Sequence, residues 1–286
     1  MTAIPQISRN SWLKAKNDGG LHPGLAFYRF LEDQNGQFQE GLKLLTNRVS
    51  MPFAAELVRR QQEQLRFLED NGWVTCCFQA ELTSRLAIGL GIPNRAENGF
   101  WLDQTHGLPL IPGSVLKGVS QDYALLSRGE WPGAEALRND PELIALFGAQ
   151  TPEVRDKHFQ ARQGHVVFFE ALPVSASQEN PFDLDIINPH YQPYYSEGKP
   201  PADYYSPVPI VFLTVKKGVK YQFALAARDA DFTWKNSQGM ECPCQMPATE
   251  LLTLAAGCLK GAITQLGVGG KTSIGYGLFR IPSEKK

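Results

Sequence analysis

The residues best suited to chemistry lie near the C-terminus, in the glycine-rich segment Leu266-Gly267-Val268-Gly269-Gly270-Lys271-Thr272-Ser273-Ile274-Gly275-Tyr276-Gly277. It holds five glycines, one lysine and three hydroxyl side chains. Glycine allows positive φ and lets other groups approach the backbone closely. Backbone N–H groups, a positive charge and a hydroxyl together suit a phosphate. The residues expected to contact such an anion are Gly267, Gly269, Gly270, Lys271 and Thr272.

A nucleotide triphosphate is the first phosphate ligand to consider. The P-loop motif G-x-x-x-x-G-K-[ST] follows a strand and opens a helix. Gly270-Lys271-Thr272 matches the end of that motif, but Gln265 stands where its first glycine belongs, and a helical pattern precedes the segment. A P-loop is therefore disfavoured. The loop is either another kind of anion site or a glycine turn that binds nothing.

A second anion site is predicted at Ile111-Pro112-Gly113-Ser114-Val115-Leu116-Lys117-Gly118. Pro-Gly favours a turn, Ser114 is a typical N-cap, and a helix then continues through Leu126. Free N–H groups at the helix start, with Lys117 one turn further on, suit an anion. The alternative is a capped helix without a ligand.

Aromatic side chains and one arginine supply the remaining binding candidates. The segment Asn188 to Tyr195 is rich in tyrosine and proline. Its residues Tyr191 and Tyr194 could stack on unpaired bases, although a turn packed against the sheet explains them equally well. Arg85 lies just beyond the alternating residues of the first predicted strand and is a weaker candidate.

No catalytic or metal-binding arrangement stands out in the sequence. The five histidines are scattered, and none falls in a Ser-His-Asp, Cys-His or H-E-x-x-H pattern. Asp183 and Asp185 share one face of an alternating strand and could hold magnesium, but a solvent-facing strand explains them more simply. Cys242 and Cys244 lack the second pair that a zinc site needs. The sequence predicts no catalysis, no metal and no cofactor.

An α+β domain with an antiparallel sheet and helices on one face is predicted to position these residues. Residues 1–72 form an N-terminal arm and helical extension, and residues 73–286 form the domain, with insertions at about 127–163 and 229–248. Helices are predicted at 51–70, 115–126, 141–148 and 249–265, strands at 73–91, 164–171, 182–187 and 278–281, and a hairpin at 209–228.

Composition narrows the class of protein. The net charge is −1, from 28 basic and 29 acidic residues, whereas nucleic-acid-binding domains are usually basic. A locally basic groove is compatible with this net charge. Strong binding of RNA by the chain alone is not expected at this net charge. Five cysteines indicate free thiols and a reducing cytoplasm. No apolar stretch is long enough to cross a membrane, and no secretory signal is evident.

Several of these segments together resemble the RAMP superfamily, the RNA-binding proteins of CRISPR systems. The glycine-rich segment after a helix is similar to that family's C-terminal loop, and I-P-G-S-V-L-K-G at residues 111–118 is similar to its first helix start. The pattern D-x-x-N-P-H-Y-x-x-Y-Y at residues 185–195 resembles the subunits that cap type III-B (Cmr) effector complexes. The resemblance spans about residues 74–281.

The resemblance implies a modified ferredoxin-like (RRM-like) fold and a non-catalytic subunit of a type III-B effector complex in antiviral defence. Such a subunit binds guide RNA near its 3′ end and caps the backbone filament. The implied partners are guide RNA and other RAMP subunits, with target RNA as a further candidate and no membrane. The glycine-rich loop would lie against the RNA backbone, and Ser114 and Lys117 would form the opposite lip.

A RAMP-type endonuclease that processes CRISPR repeat RNA is the alternative. It would use His190 or His165 as general base or acid.

Overall fold

A computed structural model describes residues 14, 22–31, 38–47, 51, 53–130, 140–149, 161–174, 180–188, 192–200, 207, 209–235 and 240–282. The helices are α1 (Pro23–Tyr28), α2 (Gln39–Asn47), α3 (Ala54–Asp70), α4 (Gly113–Ser127), α5 (Pro141–Phe147), α6 (Gln192–Glu197) and α7 (Ala248–Gly261). The strands are β1 (Val74–Leu82), β2 (Val166–Phe168), β3 (Leu172–Val174), β4 (Phe182–Ile187), β5 (Ile210–Val215), β6 (Lys220–Ala227), β7 (Ala230–Lys235), β8 (Glu241–Met246) and β9 (Phe279–Arg280).

The main sheet has the strand order β2-β6-β1-β9, and β3 pairs with β6 beyond the end of β2. Its longest ladder joins β1 and β6 through eight residue pairs, from Val74 opposite Ala227 to Glu81 opposite Lys220. All pairs in this sheet are antiparallel. The predicted α+β class with an antiparallel sheet is therefore confirmed.

Helices cover both faces of this sheet. On one face, Lys260 of α7 lies 5.0 Å from the ring centre of Phe78, which stacks on Phe223. Helix α4 packs against α7. Gln222 precedes Phe223 in β6 and so points to the opposite face. There its side chain donates a hydrogen bond of 3.0 Å to Gln61 of α3. The predicted arrangement of helices on one face therefore holds for α4 and α7. The helix α3, which precedes β1, packs on the other face.

The predicted hairpin at 209–228 is wrong, although both of its strands exist. Strand β5 pairs with β4 in a separate two-stranded sheet, and β6 lies in the main sheet. The chain that follows β1 separates them, because Leu86 exchanges backbone hydrogen bonds of 2.8 and 3.1 Å with Val215. Leu82 likewise bonds to Gly218 and Val219. The groups that would join β5 to β6 are thus already used.

The predicted insertion at 229–248 contains a structured hairpin, β7 and β8, which pair through six residue pairs. Pairing brings Trp234 opposite Cys242, and Phe232 and Ala230 point into the core. The polar residues that suggested a variable loop face outward on these strands. Among the described residues, no helix combines the length and hydropathy that crossing a bilayer requires.

Candidate functional site

The glycine-rich segment begins where the winding of α7 changes. A π-helical turn, Ala262–Leu266, extends that helix, and Gly267 leaves it with φ +80°. The predicted helix at 249–265 is therefore confirmed as α7 plus this turn. Two hydrogen bonds then tie the segment to the chain after β1. The Gly270 amide donates to the Ala87 carbonyl at 2.6 Å, and the Gly277 amide donates to the Arg85 carbonyl at 2.8 Å.

Close backbone contacts explain why glycines occupy this segment. A Cβ on Gly277, where φ is +71°, would lie 1.9 Å from the Val268 carbonyl oxygen. A Cβ on Gly269, where φ is +91°, would lie 2.4 Å from the Ala87 oxygen. Both the left-handed conformation and the lack of space exclude other side chains. These glycines first of all give the loop its shape.

Two of the glycines that were expected to contact an anion have amides that are already bonded within the protein. The Gly267 amide donates to the Ala262 carbonyl at 3.0 Å, and the Gly270 amide is bonded to Ala87. The amides of Gly269, Lys271 and Thr272 have no acceptor within the described ranges. Together with the Ser273 amide, which also lacks an acceptor among the described residues, they remain able to bind an anion.

The Lys271 side chain rests on aromatic rings beside these amides. Its backbone is left-handed, with φ +61°, which is uncommon for lysine. Its ammonium lies 5.7 Å from the ring centre of Phe212 and 6.0 Å from that of Tyr276. A cation is attracted to aromatic faces at such distances. In the part of the chain that the structure describes, no carboxylate pairs with this ammonium.

Arg85 lies between two carboxylates of β4. Its Nε is 2.9 Å from Oδ2 of Asp183, and its Nη1 is 3.0 Å from Oδ2 of Asp185. The Tyr276 hydroxyl donates a hydrogen bond to the same oxygen of Asp185. This clasp of Arg85, Asp183, Asp185 and Tyr276 joins β4, the chain after β1 and the glycine-rich loop.

The clasp gives the two aspartates a partner that the sequence did not suggest. Asp183 and Asp185 do share a face and are partly exposed to solvent, as the solvent-facing strand predicted, but they bind a guanidinium, so the magnesium site does not describe them. Among the described residues, no group of His, Cys, Asp and Glu side chains is arranged to hold a metal. The sequence missed this role because Arg85 and Asp183 are 98 positions apart.

Hydrogen bonding fixes the protonation states within the clasp. Burial tends to raise the pKa of Asp185, but the Tyr276 hydroxyl, the Ile186 amide and Arg85 outweigh it, and the pKa lies below its usual value. Burial and the bond to Asp185 raise the pKa of Tyr276 to about 12. At neutral pH the tyrosine therefore donates and the carboxylate accepts.

The prediction that Ser114 caps α4 is wrong. The helix begins at Gly113 with Pro112 as its N-cap and no side-chain cap bond. Gly113 fits tightly there, because a Cβ would lie 2.0 Å from the Phe168 oxygen. Ser114 is exposed at the second helical position, and burial lowers the pKa of the Lys117 ammonium.

The start of α4 points towards the glycine-rich loop. The Tyr123 hydroxyl of α4 accepts a hydrogen bond of 3.2 Å from Gln265, and Arg128, directly after α4, lies within electrostatic range of Cys258. The two helices therefore run antiparallel, which directs Ser114 towards the end of the π-helical turn. Within the described ranges, no hydrogen bond or ion pair joins Ser114 or Lys117 to the loop itself.

Some of the aromatic and histidine candidates lie among the described residues, and others do not. Tyr194 lies on α6 with 47% of its surface exposed, whereas Tyr191 and His190 lie outside the described residues. Nδ1 of His165 is 2.9 Å from the Asp229 carbonyl oxygen, and the ring stacks on Phe232 at 5.6 Å. Burial lowers the pKa of His165, and Arg228 and Arg162 lower it further.

Known proteins are similar to this chain in sequence. The family model of the RAMP superfamily matches residues 79–280. The CRISPR system Cmr subunit Cmr6 of Pyrococcus furiosus is 33% identical over 237 residues, which are 68% of this chain and 64% of that protein. The chain thus spans less than two thirds of that relative's length. The Cmr6 subunit of Saccharolobus solfataricus is 24% identical over 255 residues, 88% of this chain and 73% of that protein.

One solved structure has a similar fold over almost the whole chain. A chain in the cryo-EM structure of the type III-B Cmr-beta complex bound to cognate target RNA superposes with a TM-score of 0.57 and 20% identity. The superposition covers 96% of this chain and 87% of that one. At this identity, the similarity concerns the fold alone.

Proposed function

The chain belongs to the RAMP superfamily, and we propose that it is a non-catalytic subunit of a type III-B CRISPR effector complex. In this proposal it binds guide RNA near the 3′ end and caps the backbone filament. Two relatives named as the sixth Cmr subunit support the assignment. Other RAMP subunits are the protein partners, and target RNA is a further candidate ligand.

We infer that the main sheet is a modified ferredoxin-like sheet. The strands β1, β2, β6 and β9 occur in this order along the chain and lie in the order β2-β6-β1-β9 in space. Helix α4 connects β1 to β2, and α7 connects β6 to β9, which gives the β-α-β-β-α-β sequence of that fold. The glycine-rich loop lies directly before β9.

The observation that carries the proposed RNA contact is the outward side of this loop. The amides of Gly269, Lys271 and Thr272 lack an acceptor among the described residues, and the Lys271 ammonium lacks a carboxylate. Amides and one cation bind phosphates without reading bases. Such contacts suit a guide RNA whose spacer sequence varies. Ser114 and Lys117 are proposed as the opposite lip, with Tyr191 and Tyr194 as stacking residues.

The net charge supports RNA binding within an assembly, and the free thiols support a location in the cytoplasm. A chain with a net charge of −1 is better suited to binding RNA within an assembly than alone. The five cysteines are all free, which agrees with the reducing cytoplasm that we propose as the location.

Purification from the native host tests this function. The tagged chain would be isolated under non-denaturing conditions, its RNA sequenced and its protein partners identified. We expect other RAMP subunits and short RNAs that carry a repeat-derived 5′ tag and variable spacers. A preparation with neither RNA nor partner subunits would contradict the proposal, and the glycine-rich segment would then be a structural turn.

Within the part of the chain that the structure describes, no observation favours the endonuclease alternative. The ring of His165 is held by the Asp229 carbonyl and by stacking on Phe232. Repeat RNA incubated with excess protein should stay intact. Cleavage that disappears in His165→Ala or His190→Ala would support the nuclease instead.

A further inference from the structure

Arg85 is the cation that the sequence suggested as an RNA contact and that the structure binds to protein instead. We propose that Arg85 is a positioning residue, which holds the glycine-rich loop so that Lys271 meets phosphate, and that it is not a phosphate ligand itself. This inference rests on the proposed function. It concerns which residue of the site carries the contact.

The first support is the number of bonds that the Arg85 guanidinium already makes. Nε and Nη2 lie 2.9 and 2.8 Å from Oδ2 of Asp183, and Nη1 lies 3.0 Å from Oδ2 of Asp185. The rigid fork of a guanidinium suits this bridging arrangement, which a lysine cannot reproduce. The Arg85 carbonyl also accepts the Gly277 amide. Backbone and side chain of one residue therefore both contact the site.

A chain of contacts leads from Arg85 to Lys271. Asp185 accepts the Tyr276 hydroxyl, and the Tyr276 amide donates to the Lys271 carbonyl at 3.3 Å. The Tyr276 ring also flanks the Lys271 ammonium. Loosening Arg85 would therefore loosen Tyr276, and with it the support on which the lysine side chain rests.

The neighbouring carboxylates distinguish the Arg85 guanidinium from the Lys271 ammonium. A phosphate that approached Arg85 would also approach Asp183 and Asp185, whose charges repel it. The Lys271 ammonium has no such carboxylate within the described ranges. Because the clasp holds one positive and two negative charges, Lys271 is the cation that an RNA phosphate meets.

Two substitutions that preserve charge test this division of roles. The full-length chain would be titrated against fluorescein-labelled single-stranded RNA across a series of salt concentrations. We expect Arg85→Lys and Tyr276→Phe each to weaken binding about tenfold, because each breaks the clasp. Neither should change the slope of log affinity against log salt. The double variant should bind about as weakly as either single variant, since both break one chain of contacts.

Two further variants calibrate the measurement. Lys271→Ala should reduce the magnitude of the salt slope by about 0.7, the value for one phosphate contact on a single strand. Arg59→Lys is the matched control, because Arg59 also binds two carboxylates, Glu56 and Glu63, but on α3. It should leave both affinity and slope unchanged.

Hydrogen exchange without RNA gives a second, independent readout. Amides of residues 267–277 should exchange faster in Arg85→Lys and Tyr276→Phe than in the parent chain. The inference is overturned if Arg85→Lys binds and exchanges like the parent while Arg85→Ala lowers the salt slope as Lys271→Ala does. If the isolated parent chain shows no salt-dependent RNA binding, the same variants are compared in the purified complex, where absence of RNA contradicts the proposed function, and hydrogen exchange still decides whether Arg85 positions the loop.

Discussion

The amide of Gly270 donates a hydrogen bond of 2.6 Å to the carbonyl oxygen of Ala87, so the glycine-rich loop pairs with the chain that follows β1. Leu86, which precedes Ala87, is joined to Val215 of β5 by backbone hydrogen bonds. One short stretch after β1 thus joins the loop to the small sheet of β4 and β5. The loop is held on two sides, and only part of its backbone remains available to a ligand.

The tight approach at the loop predicts which glycines are indispensable. Gly277→Ala should lower the free energy of unfolding by roughly 2–4 kcal/mol, because a left-handed backbone and a backbone clash act together. Gly118→Ala is the control, since that helical glycine has open space around it. It should raise stability by about 0.5–1 kcal/mol. Urea unfolding measures both, and equal stability of the two variants would show that the loop is not packed as described.

The buried glutamines predict how the N-terminal extension is fastened. Gln222 donates to Gln61 at 3.0 Å, and Gln61 donates to the Glu170 carbonyl at 2.8 Å. Gln222→Ala should destabilise the fold by roughly 1–3 kcal/mol, because the Gln61 oxygen is left buried without a donor. The exposed neighbour Gln79 provides the control, and Gln79→Ala should change stability little. Similar unfolding curves for both variants would argue against α3 docking on this face.

The clasp predicts a tyrosine that resists ionisation. An ordinary tyrosine ionises near pH 10, whereas the pKa of Tyr276 is raised to about 12. Because the folded pKa is raised, the stabilisation is complete below about pH 10 and is lost as pH rises towards about 12. The phenolate absorbance of the parent chain minus that of Tyr276→Phe should therefore stay near zero until pH exceeds about 11. A difference that develops near pH 10 would mean that the bond to Asp185 is absent.

Local signals were enough to predict the elements that carry the site. The Pro-Gly turn predicted α4, strict alternation predicted β4, and the apolar stripe before the glycines predicted α7. The motif of glycines with Lys271 and Thr272 also identified the loop itself. Each of these features depends on residues that are near neighbours in the sequence.

Pairing partners could not be predicted in the same way. Periodicity shows which face of a strand is buried but not which strand lies beside it, and so β5 and β6 were wrongly joined. The bond between Gln222 and Gln61 spans 161 positions, and the side-chain bonds of the clasp span 91 to 100 positions each. The acceptors of the Gly267 and Gly270 amides, at Ala262 and Ala87, could not be predicted either, because they are brought to the loop only by the fold.

Site-specific crosslinking tests the central claim, that this loop touches guide RNA, most directly. A photoreactive amino acid would replace exposed Ser273 in the tagged chain, and the purified complex would be irradiated and its crosslinked nucleotides sequenced. Exposed Asp231, on the outer side of β7, is the control position. We predict crosslinks from position 273 to the 3′ portion of short spacer-containing RNAs, and none from position 231. RNA that is present in the complex but does not crosslink to position 273, or that crosslinks only through its 5′ tag, would contradict the account.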